Sequence, residues 1–235
     1  MCNLANERNG GVSMSKYVVV DLEMCKVPKN MRTSAYHWAN ETIQIGAVLV
    51  EDLKIVDEYS TYVCPQFGQI DDFIRQLTGI TKHDVKDAVI MEQALTALLA
   101  WAPENAIFVS WSDNDLFQIR REMEAKGIVL PRMEKIFDSW IDCQVTFSEK
   151  MHELNKKYNL KEALIAADIC FDENIHNGIV DARNTAELFV KMEKEPELKL
   201  NKYYQFAKTG VSNEPKEKST LGDLFPWLAT LYATA

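Results

Sequence analysis

Hydrophobic and polar positions change their rhythm several times along the chain. Residues 1–13 are polar and aperiodic and read as an extension, with Met1 and Met14 both standing as candidate starts. Tyr17-Val18-Val19-Val20 is a β-branched run leading into Asp21-Leu22-Glu23, the pattern of a buried strand. Thr42 to Val50 and Lys54 to Val63 read as two further strands, and the short link Glu51-Asp52-Leu53 predicts an antiparallel hairpin. Apolar residues at helical spacing follow in Ile70 to Leu77 and Met91 to Trp101. Ile107 to Trp111 reads as a buried strand, and Asp115 to Lys126 as a helix stopped by Gly127 and Pro131. Ile136 to Ile141 is expected to be a last strand, with helices at about 143–156, 160–167 and 178–193.

Three strands followed by strands alternating with helices predict an α/β fold: a mixed sheet of about five strands with helices on both faces. The folded domain is expected over residues 14–195, followed by an extension over 196–235. Within that extension Gly210 to Thr220 has the composition of a linker. Leu221 to Ala235 then turns aromatic and apolar. It reads either as a short helix packing back on the domain or as a docking segment for a protein partner.

Composition narrows the classes. The 235 residues are 47% hydrophobic and 26% charged, which excludes wholesale disorder. No apolar run approaches the roughly 20 residues of a membrane span, and the polar N-terminus lacks a signal-peptide core, so a cytoplasmic protein is expected. Five scattered cysteines without a C-x-x-C pair favour reduced thiols over a disulfide framework or structural zinc. A net charge of −9 argues against coating long nucleic acid through bulk charge. It leaves room for an enzyme that grips a few nucleotides locally.

The chemistry-bearing feature is a set of acids in apolar surroundings. Asp21 and Glu23 end a buried strand and, two residues apart, share one face while Leu22 points the other way. Asp115 follows the strand ending at Trp111, and Asp181 opens a helix with His176 five residues before it. Two carboxylates about 4 Å apart repel by roughly 4 kcal/mol at an effective dielectric near 20. Converging acids therefore protonate or bind a cation, and hard oxygen ligands suit Mg²⁺ or Mn²⁺. Two such ions clamp the attacking and leaving oxygens of a phosphoryl transfer, and a histidine titrates in the right range to deprotonate water. Taken singly, each residue also has a bland reading: an edge pair, a helix cap, a dipole-stabilised acid, a loop histidine.

Together these residues resemble the DEDDh 3′→5′ exonucleases, which have the RNase H-like fold. The motifs occur in order: Val20-Asp21-Leu22-Glu23-Met24-Cys25, then Trp111-Ser112-Asp113-Asn114-Asp115, then His176-Asn177-Gly178-Ile179-Val180-Asp181. Glu41 to Val48, Leu77-Thr78-Gly79-Ile80-Thr81 and Leu160 to Leu164 are similar to supporting segments, so that the likeness spans residues 16–193. The second motif and the LTGIT segment point to the KapD-like, enhanced-RNAi-exonuclease branch.

The resemblance implies a three-layer α/β/α domain that releases nucleoside 5′-monophosphates from 3′ ends of single-stranded RNA or DNA, or from short oligonucleotides. It implies that Asp21 bridges two metal ions, Glu23 and Asp181 complete one shell, Asp115 supports the second ion, and His176 is the general base. Asp113 offers an alternative register to Asp115. Met24 stands where the family has smaller residues, and is expected beside the terminal bases; Trp111 is a candidate for base stacking. A phosphodiesterase acting on dinucleotides and a catalytically silent nucleic-acid-binding module stand as rival functions.

Overall fold

The computed structural model describes residues 15–172 and 176–204. The chain divides into two compact units, residues 1–199 and 200–235. The N-terminal extension, the linker and the C-terminal aromatic segment fall outside the described residues.

Strands β1 (Lys16–Lys26), β2 (Asn40–Glu51) and β3 (Lys54–Tyr62) form the meander that the alternating apolar runs predict. Asp52 and Leu53 close the β2–β3 hairpin with φ of 51° and 55°. Helices α1 (Asp72–Thr78), α2 (Lys82–Val85) and α3 (Met91–Trp101) follow. The Asp71 side chain caps α1 by accepting from the Ile74 N–H, and Gly79 at φ 74° ends it. Strand β4 (Ile107–Ser110) then leads to α4 (Asn114–Lys126), α5 (Pro131–Phe137), β5 (Ile141–Asp142), α6 (Cys143–Lys150), α7 (Leu160–Ala166) and α8 (Gly178–Lys194).

The strand order is β3-β2-β1-β4-β5. β1 pairs antiparallel with β2 and parallel with β4, so the sheet is mixed with β1 at its centre. Val18, Val20 and Leu22 of β1 pack with Leu95 and Leu98 of α3 and Ile119 and Met123 of α4 in the main core. Tyr17, which faces the other way, meets the ring of Phe189 on α8 at 4.8 Å. Helices therefore cover both faces.

Two sequence expectations fail. Ile136 and Phe137 belong to helix α5, and only Ile141–Asp142 is strand. Pro131 at the first helical position, with Met133, Ile136 and Phe137 buried at i, i+3 and i+4, stabilises a helix over the extended form. Helix α6 stops at Lys150, not 156. Met151 caps it, and His152 at φ 56° turns the chain away.

One buried charge cluster fixes the end of the sheet that bears the acids. Glu41 accepts from the backbone N–H groups of Gln66, Phe67 and Gly68 at 2.8, 2.8 and 2.5 Å. Glu122 of α4 accepts from the Thr42 N–H and hydroxyl at 2.7 and 2.6 Å. The Lys126 ammonium lies between them, 2.7 Å from Glu41 and 2.6 Å from Glu122. Beside this cluster Glu23 pairs with Gln44 and Met24 with Thr42, so Ile43 is the extra residue of a β-bulge. A bulge bends and twists the strand locally, here next to Glu23.

Candidate active site

The strand alternation places Leu22 in the main core and turns Asp21 and Glu23 to the face covered by α8. α8 reaches this face closely because two glycines meet. A Cβ on Gly46 of β2 would lie 2.2 Å from the carbonyl carbon of Gly178, so only glycine admits the helix N-terminus there. The Gln44 side chain then accepts from the Gly178 N–H at 3.0 Å, tying the first residue of α8 to the sheet. Three residues on, Asp181 faces β1.

Asp115 arrives from the opposite layer. It lies in the first turn of α4, is 6% exposed, and accepts from the Leu22 N–H at 3.1 Å. That bond fixes its carboxylate against the segment between Asp21 and Glu23. Asp113 is exposed at the N-cap position of α4. The structure thus brings Asp115, and not Asp113, to the other acids.

His176 sits in the turn before α8 at φ 68°, a left-handed conformation that histidine tolerates better than most side chains. Its backbone N–H donates to Asp181 Oδ2 at 2.8 Å. Ligand atoms of Glu23, His176 and Asp181 lie within 4.8 Å of one another. Glu23 and Asp181 are nearly buried, while His176 is exposed at the rim.

The electrostatics follow from burial without compensation. Desolvation, then the charges of Asp115, Asp181 and Glu23, hold the Asp21 carboxyl well above the usual range. Glu23 is pushed up to about 8 by desolvation and by Asp181 and Asp115. Asp115 is raised to about 7, with desolvation the largest cause and the Leu22 N–H opposing it. Burial also raises Asp181, against the pull of the His176 N–H and ring. Among the described residues Asp181 Oδ1 is buried with no hydrogen-bond partner. An orphaned buried carboxylate oxygen within a group of repelling acids fits a hard divalent cation, which would satisfy the oxygen and offset the repulsion.

Other candidates are placed differently. Trp111 is 9% exposed and packs toward Phe147, with ring centroids 6.1 Å apart. Its indole, just after β4, is part of the core and presents no stacking platform. Met24 is half-buried and leans on the main core. Cys25 lies in a small apolar cluster with Ile43 and Ile70. Its thiol is pushed up to about 12 by burial and by Glu41 and Glu122, which excludes a nucleophilic thiolate. Gln44 was not singled out as a site residue from the sequence. Its alternation with the apolar Ile43 and Ile45 marked it as a strand position, and only the contact with Gly178 shows its part.

Comparison with known proteins places the chain in a family. The family model described as Exonuclease matches residues 18–189. The chain belongs to this exonuclease family. It is 30% identical over 181 residues to the DNA polymerase III subunit epsilon of Aquifex aeolicus, covering 76% of this chain and 81% of that protein. It is 31% identical over 186 residues to ERI1 exoribonuclease 2 of Xenopus laevis, covering 66% of this chain. The chain spans about a quarter, 26%, of the length of that relative. The nuclease domain of 3′hExo, a DEDDh family member solved bound to rAMP, superimposes with a TM-score of 0.66 at 21% identity, over 81% of this chain and 98% of that one. The five-stranded mixed sheet with its helices is thus the RNase H-like fold.

Proposed function

We propose that this chain is a metal-dependent 3′→5′ exonuclease that releases nucleoside 5′-monophosphates from the 3′ ends of single-stranded RNA or DNA. The observation that carries the reading is the convergence of Asp21, Glu23, Asp115 and Asp181 with raised pKa values and one orphaned oxygen, beside an accessible histidine. The family match and the nucleotide bound to the 3′hExo domain support it.

In this reading Asp21, Glu23, Asp115 and Asp181 would hold two divalent ions, Mg²⁺ or Mn²⁺. When bound, the ions supply charge neutralisation of the phosphate and a water made more acidic. The side chains supply placement. Asp115, held by the Leu22 N–H, and Asp181, held by the His176 N–H, cannot turn away from the site. The His176 imidazole takes the proton of the attacking water at a ring nitrogen and, being exposed, passes it to solvent. Met24, half-buried beside Glu23 in β1, is assigned to the terminal base through the part of its side chain that the main core leaves exposed. Trp111 is given no substrate contact.

The test is a time course with 5′-labelled single-stranded RNA and the matching DNA, in Mn²⁺, Mg²⁺ or EDTA, beside Asp21→Ala. A ladder shrinking from the 3′ end only with metal and wild-type protein is expected. Absence of cleavage under every metal, or an equal ladder from Asp21→Ala, would overturn the reading. A dinucleotide run in parallel decides whether short substrates are preferred, which the net charge of −9 makes attractive.

A further inference from the structure

Away from the carboxylates, one surface places an arginine without a carboxylate partner beside partly exposed aromatic rings. It lies on α4, the helix whose first turn carries Asp115. Residues 114, 117 and 121 share its outer side, by the i, i+3 and i+4 spacing of a helix. Phe117 is 39% exposed there, and Arg121 is also exposed. Against this stripe lies the segment between β1 and β2. The Arg121 guanidinium sits 4.7 Å from the Trp38 ring centroid and 5.7 Å from that of Phe117. The exposed His37 ring is 4.2 Å from Trp38.

The segment is anchored. Gln118 of α4 donates to the Asn40 carbonyl at 3.1 Å, Val27 N–H donates to the Ala39 carbonyl at 2.8 Å, and the Tyr36 hydroxyl donates to the Asn40 carbonyl at 2.7 Å. The aromatic and basic groups are therefore held by the fold before any ligand arrives.

Lys16, Arg75, Lys86, Lys126, Arg132, Lys156, Arg183 and Lys191 each meet a carboxylate. Arg121 is among the described cations that meet none, and it lies against both Trp38 and Phe117. In a chain of net charge −9 an uncompensated guanidinium between two aromatic rings matches a ligand that is both anionic and flat-faced. Single-stranded nucleic acid has both properties: phosphates for the guanidinium and bases for the rings. An acidic peptide lacks the flat faces, and a membrane surface calls for a broader cluster of lysines and arginines.

We infer that Trp38, Phe117 and Arg121 form a second nucleic-acid contact, which holds nucleotides on the 5′ side of the terminal one. The rise of an α-helix puts Arg121 about 9 Å along the axis from Asp115. A strand whose 3′ end lies among the carboxylates reaches it within a few nucleotides. The inference rests on the exonuclease reading for the direction of the strand. It makes the enzyme length-dependent, favouring oligomers over dinucleotides in spite of its acidic charge.

The experiment compares wild type, Phe117→Ala, Arg121→Gln and the charge control Lys135→Gln on α5. Hydrolysis of a single-stranded 12-mer and a dinucleotide is measured, together with fluorescence anisotropy of the 12-mer on each protein at several salt concentrations. Wild type and Lys135→Gln are expected to favour the 12-mer in kcat/KM. Both stripe variants are expected to lose about tenfold of that preference through a higher KM. Arg121→Gln is further expected to flatten the slope of log affinity against log salt by about one. Variants that keep the wild-type length preference and salt slope overturn the stripe and leave the exonuclease reading intact. Absence of hydrolysis by wild type on every substrate overturns that reading instead. Anisotropy then judges the stripe alone, and equal binding by wild type and Arg121→Gln overturns it.

Discussion

Replacing Gly46 by alanine puts a methyl carbon where the backbone of Gly178 already lies. The added Cβ would stand 2.2 Å from the Gly178 carbonyl carbon, 2.3 Å from its oxygen and 2.3 Å from the Ile179 nitrogen. Ordinary contact begins near 3.4 Å, so the strand and the helix must separate by about 1.2 Å to reach it. All three clashing atoms are backbone, and no side chain can rotate out of the way. Gly46 pairs with Asp21 on one side and with Ser60 on the other, which holds it in the sheet. The start of α8 is the part that moves, and it carries Asp181 with His176 bonded to it. A displacement near 1 Å at reacting groups costs on the order of 10²-fold in rate. Overpacking of this kind also costs roughly 1–3 kcal/mol of stability. Gly46→Ala is therefore expected to fold and melt earlier, and to hydrolyse a labelled oligomer about 10²-fold more slowly at a temperature well below its Tm. Circular dichroism separates folded but misaligned protein from unfolded protein. A folded Gly46→Ala enzyme within about threefold of wild-type kcat/KM would refute the claim that this glycine contact sets the site.

Further outcomes follow from the same structure. Asp181→Ala is expected to abolish cleavage, and His176→Ala to slow it by roughly 10²–10⁴, both read from initial rates on labelled RNA. Lys126→Met leaves Glu41 and Glu122 buried without their cation, and is expected to lower stability by about 3–5 kcal/mol in urea unfolding; a loss under 1 kcal/mol would show the cluster to be otherwise compensated. In EDTA the protein should become less stable as pH rises. The Glu23 carboxyl, ordinarily near 4.5, is raised to about 8, so between those values the folded chain holds a proton that the unfolded chain releases. That stabilisation, about 5 kcal/mol, is complete below pH 4.5 and lost on passing pH 8. Thermal melts in EDTA should fall from pH 6 to pH 8.5, and Mn²⁺ should raise Tm more at the higher pH; a flat EDTA profile would contradict the geometry.

What was legible in the sequence depended on periodicity and on local punctuation. The β-branched run at Val18 to Val20 and the hairpin link at Asp52-Leu53 specify the meander because both signals are local. The interval 131–142 misled because Ile136, Phe137, Trp140 and Ile141 are apolar enough for either state. The start signal at Pro131 decides it, together with core contacts made by Met133, and such contacts are invisible in sequence. Asp21, Glu23, Asp115, His176 and Asp181 stood out as polar residues against apolar runs, although β1 continues past Asp21 and Glu23 to Lys26 and does not end at them as the run of valines suggests. The bond from Leu22 N–H to Asp115, the Gly46–Gly178 approach and the Gln44 tie join residues 93, 132 and 134 positions apart, and no local pattern announces them. Trp111 was the reverse case. Its residue type suggested stacking, and its burial removes it.

Two sets of buried acids in this one chain separate a structural carboxylate from a ligand-binding one. Glu41 and Glu122 are both fully buried. Between them they accept from four backbone N–H groups and the Thr42 hydroxyl, and they share the Lys126 ammonium. Their charge is met within the fold. Asp21 and Glu23 of the same strand, with Asp115 of α4 and Asp181 of α8, repel one another, and among the described residues none of the four meets a lysine or arginine; Asp115 accepts from the Leu22 N–H and Asp181 from the His176 N–H. A fold that can compensate carboxylates this fully at one end of β1 and β2, and leaves them uncompensated next door, has left room for a cation supplied from outside. Burial alone does not distinguish the two sets, since both are removed from water. The presence or absence of an internal counter-charge does. Arg121, exposed, without a carboxylate and set against two aromatic rings, is therefore a test of substrate contact, while Lys126, buried between two acids, is a test of stability.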